Sequence, residues 1–335
     1  MSDIILSFCM ATRNRGAFID ATLESIVCQA TEEVEIVIVD GASSDNTEDV
    51  VRRCQERFPR LRYYRQNANQ GVDHDFAAAV EMAHGKYCWL FSDDDLMKPG
   101  AIQTVLDATS RQYGLIIVNA EVRNADLSKL LEPSRLPLSA DRIYKPTENG
   151  LLLREVGDHM SFIGGVVIKR ELWNAREKER YFGSYFVHAG VIFQSPLPND
   201  TLVIAEPLIS IRYGNASWLG KHFEIWMFKW PDLIWSFPDY ADSAKHQACP
   251  KEPWRRMRTL LLLRAKGTFT IKEYHEWLEP RLDSSWTRVV AKAIAQIPGR
   301  IANFLGIIYY HAFHRQPDRI MRIFDLENSP FYFWK

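Results

Sequence analysis

Three carboxylates in succession, Asp93, Asp94 and Asp95, follow an apolar run in WLFSDDDLMKPG. Adjacent like charges repel, and burying them is costly unless a cation compensates. A divalent ion that prefers oxygen ligands, Mg2+ or Mn2+, is the simplest partner, and such an ion keeps places for water and phosphate oxygens. One of the three could instead cap the helix expected from Pro99, but three exceed what a cap requires. Two further polar clusters stand after apolar runs. ATRNR (Ala11–Arg15) carries Thr12 and Asn14, and VDGASSDNT (Val39–Thr47) carries Asp40. An Asp before Gly is a common turn pair; at the tip of a strand it is also an acceptor for a nucleobase N–H.

The elements that would position these clusters are legible from periodicity. Ile4–Met10, Val34–Asp40, Leu61–Arg65, Tyr87–Phe91 and Leu115–Val118 read as short buried strands. Between them, helices are expected over Ala17–Ala30, from Asp45 to about Phe58, over Asp73–Ala83, and from Pro99 to about Ser110. Asp45 with Glu48 has the spacing of a capping box. Strands alternating with helices predict a parallel sheet covered on both faces, with ligands beyond the carboxyl ends of its strands. All three polar clusters fall at such ends. Residues 121–160 read as an irregular excursion. Phe162–Lys169 reads as a strand, with helices near 171–179 and 184–194 and a strand pair near 201–213. The chain beyond Lys221 reads as helical and rich in tryptophan. The expected organisation is a catalytic domain over 1–220, with halves 1–120 and 121–220, followed by a helical region over 221–335.

Composition bounds the rest. The 335 residues are 47% hydrophobic and 25% charged with net charge −1, an ordinary globular balance that names no partner and gives no reason to expect nucleic acid. The charge is uneven, because Arg255–Arg322 holds thirteen Lys/Arg against five Asp/Glu, a local +8. Five scattered cysteines without a CxxC pair suggest a reducing compartment and no zinc site. The start, MSDIILSFCMATRNR, has no basic n-region, so no signal peptide is expected. Ile301–Phe313 is apolar but too short to span a bilayer.

The run SFCMATRNRGAFIDATLESI resembles the opening of family 2 glycosyltransferases. EIVIVDGASSDNT resembles the second signature of that family, and NQGVDHDFAAAVEMAHGKYCWLFSDDDLMKPGAI the third. Together they cover about residues 4–107. Within the family, GVDxD followed by WLxSDDD is most like enzymes of O-antigen and other surface polysaccharides, abequosyltransferase-like proteins among them. The resemblance implies a GT-A fold, a Rossmann-like and mostly parallel α/β sheet, and a nucleotide-sugar donor. It places Thr12, Asn14 and Asp40 around the nucleoside and the acidic cluster on a cation holding the diphosphate. Gly71 and Asp73, with Asp75, then shape the donor-sugar pocket, Asp93 lies on the donor side, and Arg212 contacts the diphosphate.

This chain departs from the family pattern in three places. Ala11 stands where Pro is usual, and Arg13 where an aromatic often lies near the base, which leaves the nucleotide open. Ser92 occupies the first acidic slot, so Asp94 and Asp95 become the expected metal ligands. The acceptor-side helix, YFGSYFVHAGVIF, has no carboxylate. His188 stands near the place of the catalytic base, with Asp158 and His159 as rivals; a histidine suits the role if its pKa lies near the working pH. Gly164, Gly165 and Trp218 are expected at the acceptor. The basic, apolar C-terminal part could lie on an anionic membrane surface or pack as ordinary helices. The leading expectation is a metal-dependent glycosyltransferase, cytoplasmic and peripheral on the inner membrane, acting on a lipid-linked glycan. The alternatives are a sugar nucleotidyltransferase and a non-catalytic glycan- or nucleotide-binding module.

Overall fold

The structure is a computed structural model that describes residues 3–215 and 219–332. It divides into two compact units that interleave in sequence. One comprises 1–123, 133–212 and 233–249; the other comprises 124–132, 213–232 and 250–335. Residues 213–215 and 219–220 therefore group with the helical part, and 233–249 with the sheet.

The first unit is built on β1 (Leu6–Thr12), β2 (Val34–Asp40), β3 (Leu61–Arg65), β4 (Tyr87–Phe91), β5 (Leu96–Met97) and β6 (Leu115–Asn124). The strand β7 (Leu130–Glu132) belongs to the second unit. The sheet continues with β8 (Arg142–Tyr144), β9 (Val166–Lys169) and β10 (Thr201–Tyr213), in the order β3-β2-β1-β4-β9-β6-β10-β5, with β8 on β10. The four strands β3, β2, β1 and β4 are parallel, so the tips of β1, β2 and β4 come to one edge. Every residue of β1, β2 and β4 is buried, as expected of strands covered on both faces.

Alternation along the strands sorts the helices. Leu6, Phe8 and Met10, Ile36 and Ile38, and Trp89 and Phe91 point into one core. That core also takes in α1 (Ile19–Val27), α2 (Thr47–Arg57) and α4 (Ala101–Thr109). The helix α3 (Val72–Met82) packs on β1 and β2 from the other face.

Several segments differ from the sequence reading. Residues 121–160 hold an extended β6, β8 and the helix α5 (Asn149–Val156). Phe162–Lys169 is strand only from Val166, and β9 runs antiparallel to both neighbours. The short helix α6 (Arg170–Asn174) and α7 (Val187–Phe193) follow, and 201–213 is one thirteen-residue strand. Pro99 lies ahead of α4, whose start is the left-handed Gly100 (φ 80°).

The second unit is helical, with main helices Met257–Lys266, Ser285–Gln296, Gly299–Ala312 and Arg319–Glu327. Stacked rings of Phe223 on Phe269 and Phe228 on Trp277, each 5.1 Å apart, fill one core. A Lys266–Asp325 ion pair at 2.7 Å braces the second.

Candidate active site

The chemistry-bearing loops are tied to each other before any ligand enters. After β1, Asn14 takes a left-handed conformation (φ 55°). Its amide donates to Ser43 Oγ (2.8 Å), and its Oδ1 accepts from the Ser44 N–H (2.7 Å). Arg15 N–H donates to Thr47 Oγ1 (2.9 Å), and Asp45 Oδ2 accepts from Gly16 N–H (3.1 Å). Asp45 Oδ1 also accepts from the Thr47 N–H (3.0 Å), so Asp45 ties the start of α2 to the first loop. The expected capping box is not formed, because Glu48 turns to Arg52 and Arg65 instead.

Asp40, at the end of β2, is fully buried with both oxygens engaged. Ser43 N–H donates to Oδ1 (2.7 Å) and the Tyr63 hydroxyl to Oδ2 (2.6 Å). Beside it, Asp75 is buried, and a side chain at Gly41 would lie 2.7 Å from its Oδ2. Burial, followed by the charge of Asp40, pushes Asp75 up to about 6. Asp73 is also buried, but it points elsewhere. It accepts the backbone N–H groups of Tyr185 (2.8 Å) and Val187 (3.0 Å), holding the start of α7. Gly71 (φ 102°) supplies the left-handed turn that opens α3.

After β4 the three carboxylates separate. The Arg15 guanidinium lies between two of them, with Nε 3.1 Å from Asp93 Oδ1 and Nη2 on Asp94 Oδ2. Burial and the charge of Asp94 nevertheless raise Asp93 to about 6, against the pull of Arg15. Asp95 is buried beneath the short β5–β10 pairing of Leu96 with Ser210. Its oxygens are taken by Ser92 Oγ and by the Arg212 N–H (2.8 Å). Arg212 Nε also donates to the Asp94 carbonyl (2.9 Å). Two arginines therefore flank the acidic turn, and both lie over the ring of Phe18.

Of the two expected ligands, Asp94 is paired with the Arg15 guanidinium, and Asp95 accepts from Ser92 Oγ and the Arg212 N–H. Among the described residues, no three of His, Cys, Asp and Glu come together as a metal cage. The donor chemistry still fits a hard cation, because Asp93 and Asp94 form a carboxylate pair at which a positive charge already sits. Thr12 is buried at the tip of β1, its hydroxyl without a hydrogen-bond partner. Arg15 was missed in the sequence. The signal was there: three adjacent carboxylates need a cation, and the pairing of Met10 with Phe91 sets the β1 tip beside them.

The acceptor-side expectations fare differently. His188 is sealed inside the protein at 1% exposure. Its Nε2 lies 2.8 Å from the Met160 carbonyl, and its Nδ1 is buried without a hydrogen-bond partner. Burial lowers it to about 4. As placed, its ring is closed off from solvent and held on a backbone carbonyl. His159 is likewise buried, with Nε2 3.0 Å from the Val118 carbonyl, and is also lowered to about 4 by burial.

Asp158 is open to solvent, its side chain 77% exposed and 3.8 Å from Arg135. Its neighbour His159 is anchored at Val118, one residue beyond Ile117, and Ile117 and Leu90 share the partner Val166. That level is the edge where β4 ends. Gly164 and Gly165 are buried packing positions. The Gly164 carbonyl accepts from Trp89 Nε1 (2.7 Å), and a Cβ on Gly165 would lie 2.8 Å from both His159 Nε2 and the Val118 carbonyl. Trp218 lies outside the described residues.

Comparison with known proteins gives a family and a fold. The family described as "Glycosyl transferase family 2" matches residues 7–172. Abequosyltransferase RfbV of Salmonella typhimurium is 30% identical over 238 residues, 65% of this chain and 69% of that protein. A protein of Campylobacter jejuni, "GalNAc(5)-diNAcBac-PP-undecaprenol beta-1,3-glucosyltransferase", is 27% identical over 181 residues, 53% of this chain and 56% of its own. Among solved structures, S. aureus TarS 1–349 in complex with UDP superposes with a TM-score of 0.59 at 14% identity, over 97% of this chain and 90% of that one. Mannosyltransferase PcManGT of Pyrobaculum calidifontis, in complex with GDP-Man and Mn2+, gives 0.53 at 15% identity, over 98% and 88%. At these identities the two structures speak for the fold.

Proposed function

The chain belongs to glycosyl transferase family 2, as a GT-A glycosyltransferase related to enzymes of O-antigen and surface polysaccharides, and on that premise we propose that it moves a sugar from a nucleoside-diphosphate donor to a hydroxyl of a lipid-linked glycan. The observation that carries this reading is the convergence of three strand tips at one edge. Asp40 closes β2, Thr12 closes β1, and the Asp93–Asp95 turn follows β4.

The roles follow from what each side chain can reach. Asp40 accepts from the base once Tyr63 or Ser43 yields its place. Thr12 and Asn14 shape the loop along the nucleoside. Asp94 would hold a bound Mg2+ or Mn2+, with Asp93 beside it and Asp95 orienting the turn. When bound, such an ion would neutralise negative charge on the leaving diphosphate. Arg15 and Arg212 bring two more positive charges to the same place. The acceptor oxygen bonds to the anomeric carbon as the carbon–oxygen bond to the diphosphate breaks. The hydroxyl proton must leave, and we assign its acceptance to Asp158, the accessible carboxylate of the acceptor side. Two observations support a lipid-linked acceptor and a peripheral place on the cytoplasmic face of the inner membrane. One is the undecaprenol-linked substrate in the name of the Campylobacter relative. The other is the apolar, basic surface described next.

A panel of nucleotide sugars incubated with Mn2+ and a glycan acceptor tests this. Release of nucleoside diphosphate with matching glycosylated product, abolished by a chelator, is expected for one donor. Pyrophosphate formed from a nucleoside triphosphate and a sugar phosphate would favour the nucleotidyltransferase alternative. Nucleotide binding without turnover on any donor would favour a binding module.

A further inference from the structure

Helix Gly299–Ala312 has apolar residues on two faces. Its inner stripe, Ala302, Asn303, Ile307 and Tyr310, is buried within the second unit, where Asn303 Nδ2 donates to the carbonyls of Ala265 (3.1 Å) and Leu326 (2.9 Å). Its outer stripe is formed by Ile301, Leu305, Ile308 and Ala312, at the i, i+4, i+7 and i+11 spacing of one helix face. Ile301 is 53% exposed, Leu305 57% and Ile308 43%, and Phe313 just past the helix is 72% exposed. The outward face of a surface helix normally carries charge. Here the one Lys, Arg, Asp or Glu in the whole helix is Arg300. The preceding helix, Ser285–Gln296, repeats the pattern on a smaller scale, with Trp286 at 71% and Val289 at 60% exposure.

Between Asp283 and Asp318 the fixed charge is of one sign. Residues 284–317 contain Arg288, Lys292, Arg300 and Arg315 and no Asp or Glu. Fourteen residues give a helix of about 21 Å, short of the ~30 Å hydrocarbon core. No helix among the described residues is long and apolar enough to cross a membrane. A short helix with an exposed apolar stripe, aromatic rings beside it and basic residues as the only fixed charges of its segment matches a surface that lies in the headgroup region of an anionic bilayer.

We propose that the outer face of Gly299–Ala312, with Phe313 and Trp286, docks this protein flat on an anionic lipid surface. The proposal deepens the lipid-linked acceptor reading, yet it stands on the second unit alone. Lipid binding is therefore measured without turnover, and its failure would leave the transfer reading intact.

The test is flotation of the full chain with vesicles of phosphatidylcholine, alone or mixed with phosphatidylglycerol. The wild type should float with the anionic vesicles at low salt and largely dissociate at high salt. The double variant Leu305→Asp/Ile308→Asp should lose binding by about tenfold or more, with unchanged melting temperature and unchanged turnover on a water-soluble acceptor. Arg300→Gln/Arg315→Gln should weaken anionic binding while preserving the fold. The proposal is overturned if the wild type ignores anionic vesicles at low salt, or if the aspartate variant binds as well as wild type. It is equally overturned if the face proves to be a protein interface, seen as a wild-type dimer that the aspartate variant makes monomeric.

Discussion

At the scale of single residues, the site is governed by how each carboxylate is compensated. Asp93 and Asp94 share the Arg15 guanidinium, Asp95 is held by Ser92 and the Arg212 amide, and Asp40 by Tyr63 and Ser43. The buried histidines follow the opposite rule, being neutral because burial disfavours their charged form. This has a signed consequence. His188 falls from an ordinary value of 6.5 to about 4 in the fold, so between those values the unfolded chain binds the extra proton. Its contribution is whole above about pH 6.5 and is lost as pH falls toward 4, up to about 3 kcal/mol. His188→Gln should therefore show a smaller loss of melting temperature than wild type between pH 7 and 4, and an equal loss would contradict a buried neutral ring. Asp75 and Asp93 act in the other direction over part of this window, so the wild-type minus variant difference is the informative quantity. The acidic triplet and Asp40 were legible in the sequence because residue type and position after an apolar run point to them. The burial of His188 was not, because a histidine in an aromatic-rich segment reads the same whether its ring faces substrate or a backbone carbonyl.

At the scale of elements, the parallel half announced itself. Val34–Asp40, Leu61–Arg65 and Tyr87–Phe91 have in the structure the bounds that their β-branched and aromatic runs suggest. The other half was less legible. There β9 is a four-residue strand running against its neighbours, and α5 lies in a stretch broken by prolines, so long-range pairing rather than local pattern decides. Gly164 and Gly165 show the difference. They read as an approach for an acceptor, whereas each lies in the core and leaves room for a ring or a carbonyl. A methyl group on Gly165 would press on both His159 and the Val118 carbonyl, and overpacking of this kind costs about 1–3 kcal/mol. Gly165→Ala should lower the melting temperature measurably, with the KM for donor less affected than stability. A variant as stable as wild type would show that this packing is not as tight as described.

At the scale of the whole molecule, the chain folds as two compact units, and each proposal rests on one of them. The sheet unit gathers the acidic turn, the loops after β1 and β2 and Asp158, while the helical unit carries the basic and apolar surface. Neither was visible from the overall net charge of −1, because that figure averages an acidic remainder with a basic C-terminal part. The central claim is that sugar transfer takes place at the edge where Asp94 emerges from β4. It is tested most directly by measuring nucleoside diphosphate release and glycan product for wild type and Asp94→Asn, in the presence of Mn2+ and the preferred donor. Loss of turnover by about a hundredfold or more, with an unchanged melting temperature, is the predicted result. Turnover within about threefold of wild type would contradict it.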